Sequence, residues 1–476
     1  MSNLSNTIKS IQDIMRKDAG VDGDAQRISQ LGWMLFLKIF DEKEKDWEIT
    51  RDDYKSPIRK DLRWREWATD EEGMTGDELL DFVNNSLFPT LKSMKLRHNK
   101  DAAKMVRDVF EDSYNYMKSG TLLRQVINKI NVDIHLKSKT DRHAFNDIYE
   151  QILKDLQSAG NAGEFYTPRP VTQFLVEMIA PELGDTILDP ACGTGGFLIN
   201  AIDFIEKNSK VKTLADRESL QNSIRGVEKK PLPHMLATTN LILHGIEVPT
   251  IEHDNLLNKT WANWSEKDRV KIIITNPPFG GMEEDGVENN FPLSYRTRET
   301  ANLFMALIIH LLKDGGRCGL VLPDGFLFGE GVATRIKENL LDKCSLNTIV
   351  RLPNGVFAPY TNIKTNLLFF TKGQPTKEVW YFDHPYPNGI KNYNKTKPID
   401  INEFDLERSW WNKRVENVHA WHIGIDEIKK RNYNLDIKNP RDSAEQLSYT
   451  SRELIELIDK SLSLSHDLLQ QLKAEI

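Results

Sequence analysis

Apolar residues recur at helical spacing through the first third of the chain. Ile28, Leu31, Leu35 and Ile39 fall on one stripe, which Trp33, Phe36 and Phe40 widen, and a stripe that broad predicts a buried core helix. Asp77–Met94 and Ala102–Met117 read the same way, and strand-like runs are almost absent. Residues 1–155 are therefore expected to form an all-helical N-terminal domain. From about residue 160 the pattern changes: short apolar runs alternate with helical ones, as in an α/β domain with a largely parallel sheet. Strands are predicted over Thr186–Leu188, Ile224–Val227, Lys271–Thr275, Cys318–Leu322, Thr348–Arg351 and Asn366–Thr371, with helices such as Val171–Ile179 and Asn302–Leu312 between them. This domain is assigned to 156–375. Residues 376–445 are rich in Pro, Asn, Trp and Tyr without clear periodicity and are expected to be an irregular extension. Within 446–476, Leu454, Leu457, Ile458, Leu462, Leu468, Leu469 and Leu472 share one broad face. That amphipathic helix docks either on its own domain or on another protein.

Composition narrows the class. Of 476 residues, 39% are hydrophobic and 28% charged, the balance of an ordinary soluble globular protein with room for two to four domains. A net charge of -7 lacks the basic excess of a protein that grips nucleic acid alone. Either a local basic face or a partner is needed if the ligand is DNA. The three cysteines, Cys192, Cys318 and Cys344, form no CxxC pair, which supports neither a zinc cluster nor a disulfide framework, and no metal site is expected. Met1–Ser10 has no apolar signal core, and Leu31–Phe40 is too short to span a bilayer, so the expected location is cytoplasmic.

Three segments carry chemistry. Asp189-Pro190-Ala191-Cys192-Gly193-Thr194-Gly195-Gly196-Phe197 follows a predicted strand and precedes a helix. Its glycines allow a tight turn and close approach of a ligand, and the helix N-terminus behind them favours a carboxylate. Leu198 stands where GxGxxG requires its third glycine, and no GKS or GKT follows, which excludes a P-loop. Upstream, Gly163-Glu164-Phe165-Tyr166-Thr167-Pro168-Arg169-Pro170 is a proline-stiffened turn carrying two aromatic rings. After the strand Lys271–Thr275 comes Asn276-Pro277-Pro278-Phe279. There the Asn276 side chain and the Pro277 carbonyl can both accept hydrogens from one exocyclic amino group, and Phe279 offers a face on which a base stacks. Two acids complete the set: Glu228 at a strand end suits ribose hydroxyls, and Asp254 after the next strand suits an adenine amino group.

The order of these motifs resembles the amino-methyltransferases, and specifically the modification subunit of type I restriction-modification systems. Gly315–Gly325, Leu352–Phe357 and Thr365–Phe370 extend the resemblance over roughly 160–372, and the helical N-terminal region looks like that family's own. The resemblance implies a seven-stranded S-adenosylmethionine-dependent methyltransferase sheet with a helical N-terminal domain and a C-terminal helix. It implies that Glu164, Phe165, Tyr166, Thr167, Pro168 and Arg169, with Asp189, Gly193, Thr194, Gly195 and Gly196, surround S-adenosylmethionine, and that Glu228 and Asp254 bind it too. Asn276, Pro277, Pro278 and Phe279 would hold an adenine flipped out of double-stranded DNA for methylation at N6. It further implies a complex of two modification subunits with one specificity subunit that chooses the target, joined by a restriction subunit in the full assembly. An RNA-base or protein-glutamine methyltransferase, or a non-catalytic cofactor-binding scaffold, stands as the alternative.

Overall fold

In the computed structural model the residues described are 2–96, 99–134, 166–209 and 211–441, together with 455, 458, 459, 462 and 463. The chain opens on helices Ser2–Met15 and Gly23–Thr50. In the second, every residue of the predicted stripe is buried. Helical structure continues over 76–92, through a π-helical turn at Phe82–Leu87, and then in Lys100–Glu111 and Gly120–Asp133. Ser119 caps the last of these by accepting the Leu122 N–H.

A single mixed sheet follows. Its strands in chain order are β1 Ile187–Asp189, β2 Ile224–Glu228, β3 Thr250–His253, β4 Val270–Thr275, β5 Leu312–Pro323, β6 Cys344–Arg351, β7 Thr365–Lys372, β8 Glu378–Asp383 and β9 Ala420–Gly424. In space the order is β3-β2-β1-β4-β5-β7-β6-β8-β9. The first five neighbours are parallel, with Ile187 of β1 opposite Ile224 on one side and Ile272 on the other. β7 runs antiparallel to both β5 and β6. The chain builds outward from β1 to β3, then returns to place β4 on the other side of β1. That reversal opens a crevice at the carboxyl ends of β1 and β4, where open α/β sheets bind ligands.

The sheet has nine strands, not the seven expected, and residues 376–441 are not irregular. β8 joins β6 in parallel and β9 joins β8 antiparallel. Val379 and Tyr381 face one core of the sheet while Phe382 faces the other, so both faces of β8 are apolar. Tyr381 stacks on Trp421 of β9 at 5.3 Å. A strand covered on both sides shows no alternation of polar and apolar residues. Arg351, at the end of β6, ties the returning chain down by an ion pair to Asp436 at 2.6 Å and a hydrogen bond to the Ile437 carbonyl at 3.0 Å.

The helical N-terminal body shares a core with the helix Pro231–Leu243, which follows β2. Gly32 marks the closest approach: a Cβ there would come within 2.6 Å of the Met235 methyl. Tyr166 belongs to the same core, so the N-terminal body packs directly against elements that frame the crevice. The expected C-terminal helix over 446–476 lies outside the described residues, apart from five helical positions, of which Ile455, Ile458 and Leu462 are exposed. No helix among the described residues is long and apolar enough to cross a membrane.

Candidate active site

The crevice holds a cavity of about 240 Å3 whose walls include Tyr166, Thr167, Gly193, Thr194, Gly196, Glu228 and Asn276–Phe279. The glycine loop leaves β1 in a left-handed turn. Gly193 has φ +53°, which favours glycine, and its N–H donates to Glu228 Oε2 at 2.9 Å. Gly196 begins the helix Gly196–Asn208, and a Cβ on it would lie 2.7 Å from the Arg169 guanidinium. The loop is fixed from below as well: Cys192 N–H donates to the Val227 carbonyl at 2.9 Å, and the Asn240 amide donates to the Thr194 carbonyl at 3.2 Å. The first residues of that helix, Gly196 and Phe197, line the cavity, and N–H groups in a first helical turn have no partner within the helix.

Glu228 is buried at the end of β2, and its other oxygen accepts the Lys230 N–H at 2.7 Å. Burial pushes its acid up to about 7, although backbone N–H groups around it pull the other way. Asp189 is fully buried and also pushed up to about 7 by burial. It accepts the Ala191 N–H at 3.2 Å and lies beneath the loop rather than on the cavity wall.

Asn276 ends the run from β4. Its Nδ2 donates to the Thr167 hydroxyl at 3.0 Å, while its Oδ1 is buried with no hydrogen-bond partner. A buried orphan acceptor is costly, by about 1–3 kcal/mol, and is sustained where a ligand donor completes it. Phe279 stands 5.3 Å from Phe357 in an edge-to-face pair, which leaves its ring braced and partly exposed at the cavity.

Other expected residues fall elsewhere. Pro168 and Arg169 are not on the cavity wall, and Arg169 lies over the Tyr166 ring at 5.8 Å. Gly195, at φ +81°, backs onto Ala237. Asp254 is exposed and outside the cavity, with its N–H donating to the Glu228 carbonyl at 3.2 Å. Glu164 and Phe165 lie outside the described residues. The sequence reading missed Glu283, which lines the cavity and accepts from Asn255 at 2.9 Å and Thr300 at 3.1 Å. It also missed Lys229, Thr300 and Tyr360, and did not single out Phe357 within its motif.

A buried acid at the end of β2, a glycine turn on a helix N-terminus and an orphan Asn acceptor therefore share one cavity. The N-6 DNA Methylase family matches residues 140–448 of this chain. The chain belongs to that family. The HsdM N-terminal domain family matches residues 4–130, in the helical body. The methylase is 60% identical to the type I restriction enzyme EcoEI methylase subunit of Escherichia coli, over 95% of this chain and 93% of that one. To the EcoKI methylase subunit of Escherichia coli K12 it is 30% identical, over 77% and 68%. Its fold superposes with a TM-score of 0.83 on the modification subunit of a putative type I restriction enzyme from Vibrio vulnificus YJ016, at 43% identity over 93% and 98% of the chains. The methylase is thus a type I restriction enzyme methylase subunit, and the family selects DNA over the RNA-base and glutamine alternatives.

Proposed function

We propose that this methylase subunit methylates N6 of an adenine turned out of double-stranded DNA, using S-adenosylmethionine held in the crevice cavity. The observation that carries the reading is the buried, unpartnered Oδ1 of Asn276, on a wall shared with Glu228 and the glycine loop. The residues suit an adenosyl cofactor bearing a carboxylate. Glu228 offers carboxylate oxygens to ribose hydroxyls, and the helix N-terminus at Gly196 favours the cofactor's carboxylate. When bound, the cofactor supplies an electrophilic methyl group on a sulfonium.

The chain's own residues then act on the base. Asn276 Oδ1 and the Pro277 carbonyl would accept hydrogen bonds from the two amino N–H groups, leaving the nitrogen lone pair out of the ring plane; one of those N–H protons is shed once the nitrogen carries the methyl group. The Thr167 hydroxyl holds the Asn276 amide in the orientation that presents Oδ1. Phe279 stacks on the base, a contact of about 1–3 kcal/mol, and Phe357 braces it. Holding nucleophile and methyl in line supplies most of the acceleration, up to about 7–11 kcal/mol. No covalent link to the chain is needed, and the buried Cys192 thiol, held well above its usual range by burial, is no nucleophile.

The division of labour follows from charge and family. Net charge -7 supplies no strong DNA grip, and EcoEI and EcoKI are named as type I restriction enzymes with methylase subunits. We assign target choice to a specificity subunit, bound in a ratio of two methylase subunits to one, and cleavage to a restriction subunit, all in the cytoplasm. The domains we assign are 1–155 for the helical N-terminal domain, 156–375 for catalysis, 376–445 as an extension whose strands β8 and β9 widen the sheet, and 446–476 for subunit docking. The test is methyl transfer from radiolabelled S-adenosylmethionine to DNA by the chain co-expressed with its specificity subunit. Transfer that persists in Asn276→Ala overturns the assigned site.

A further inference from the structure

A second cavity, of about 230 Å3, lies at the opposite ends of the strands, where β4 and β5 begin and β7 finishes. It shares no lining residue with the crevice. Three cations line it: Arg269 just before β4, Lys343 at the end of the helix Val332–Lys343, and Lys372 at the end of β7. Only one acid, Asp314, lines it with them, and none of the three pairs with it among the described residues. In a chain of net charge -7, such a concentration of positive charge in one hollow is not an average surface.

The cations are only partly offset from within: the Asp314 carboxylate attracts Lys372 without forming an ion pair with it among the described residues. Lys372 Nζ donates to the carbonyls of Ile309 and Leu312, each at 2.8 Å, and of His310 at 3.5 Å, so its hydrogens are held at a helix end while its charge remains. Lys343 has no carboxylate partner among the described residues. Arg269 reaches only the exposed Glu266 at 3.4 Å, and its Nε is buried without an acceptor. Mutual repulsion is visible at His310 on the same wall. Burial and the three neighbouring cations push its ring down to about 4, so it adds no charge near neutrality. Tyr295 and Asn339, side chains that carry hydrogen-bond donors, also line the hollow.

We propose that this hollow is a binding site for a compact, multiply charged phosphate: inorganic pyrophosphate or the diphosphate of a free nucleotide. Lys343 and Arg269, set in the positive field of Lys372 and joined by the donor-bearing Tyr295, match the several acceptor oxygens of such a group. A polynucleotide backbone tracks an open basic groove, whereas this site is a single hollow of small volume. The proposal does not depend on the methylation chemistry assigned to the crevice.

The test is calorimetric titration of the full chain with pyrophosphate at about physiological ionic strength, where surface charge alone is largely screened. The expected result is saturable one-to-one binding that weakens at least tenfold in Lys343→Glu. Lys343 is exposed, so that variant should keep the wild-type circular dichroism and melting curve. Arg269→Gln serves as the second variant, and Glu228→Gln, in the crevice, should bind pyrophosphate as wild type does. A second arm uses ADP: tighter binding than pyrophosphate, lost in the same variant, identifies a nucleotide, and equal binding identifies the inorganic anion. Absence of binding, or binding unchanged in both Lys343→Glu and Arg269→Gln, overturns the proposal.

Discussion

Replacing Glu228 by Gln removes one buried charge at nearly constant volume, and its consequence can be followed with pH. In the folded chain burial lifts this acid from its ordinary 4.5 to about 7. The stability linked to a raised carboxyl is complete below about pH 4.5 and is lost as pH rises through about 7, because only the unfolded chain then ionises freely. A rise of that size corresponds to about 3 kcal/mol, of which about 2.5 kcal/mol falls between pH 5 and 8. Glutamine does not titrate. It also turns an amide NH2 toward either the Gly193 or the Lys230 N–H, a loss of about 1–3 kcal/mol that is the same at every pH. The informative quantity is therefore the slope. Relative to wild type, Glu228→Gln should gain about 2.5 kcal/mol of stability from pH 5 to pH 8. Asp189, the other acid pushed up by burial, is present in both proteins and cancels to first order. Urea unfolding followed by tryptophan fluorescence at several pH values measures this directly. In the same samples S-adenosylmethionine binding should weaken about tenfold or more at pH 8, the worth of one charged hydrogen bond. Wild-type affinity should itself fall as the pH drops below 7. Stability curves that run parallel across the whole range would refute the burial argument.

Other substitutions separate binding from chemistry. Asn276→Ala should lower methyl transfer at least a hundredfold, with cofactor affinity from calorimetry within about threefold of wild type. Phe279→Ala should weaken capture of the extruded base by about 1–3 kcal/mol, read as loss of 2-aminopurine fluorescence change at the target position, while cofactor binding persists. Arg351→Ala should destabilise the β6–β8 edge by about 1.5–3 kcal/mol, since the half-buried Asp436 and the Ile437 carbonyl lose their guanidinium donor. Limited proteolysis should then cut within 376–441 well before the rest of the chain.

Much of the cavity lining was legible because the segments that form it are local in sequence. The glycine turn needs consecutive residues after a strand, and Asn276–Phe279 is a single loop, so both announce themselves in a few letters. Glu228 was reached by its distance from that turn. Asp254 shows the limit of such spacing: its strand is where expected, yet the side chain faces solvent, and Asn255 beside it turns inward to Glu283. Glu283, Thr300 and Tyr360 reach the cavity from segments with no local signature, brought there only by tertiary packing. The sheet was undercounted for a different reason. β8 is apolar on both faces and β9 follows only after the helix Asp405–Trp411, so neither strand shows a period of two. The N-terminal stripe, by contrast, is long enough for its period to be plain, and all of it is buried.

The most direct test of the central claim is mass spectrometry of nucleosides from DNA incubated with S-adenosylmethionine and this chain, with and without its co-expressed specificity subunit. The account predicts N6-methyladenine only when the specificity subunit is present, and none with Asn276→Ala. Cofactor bound but no methylated adenine in either wild-type sample would contradict it.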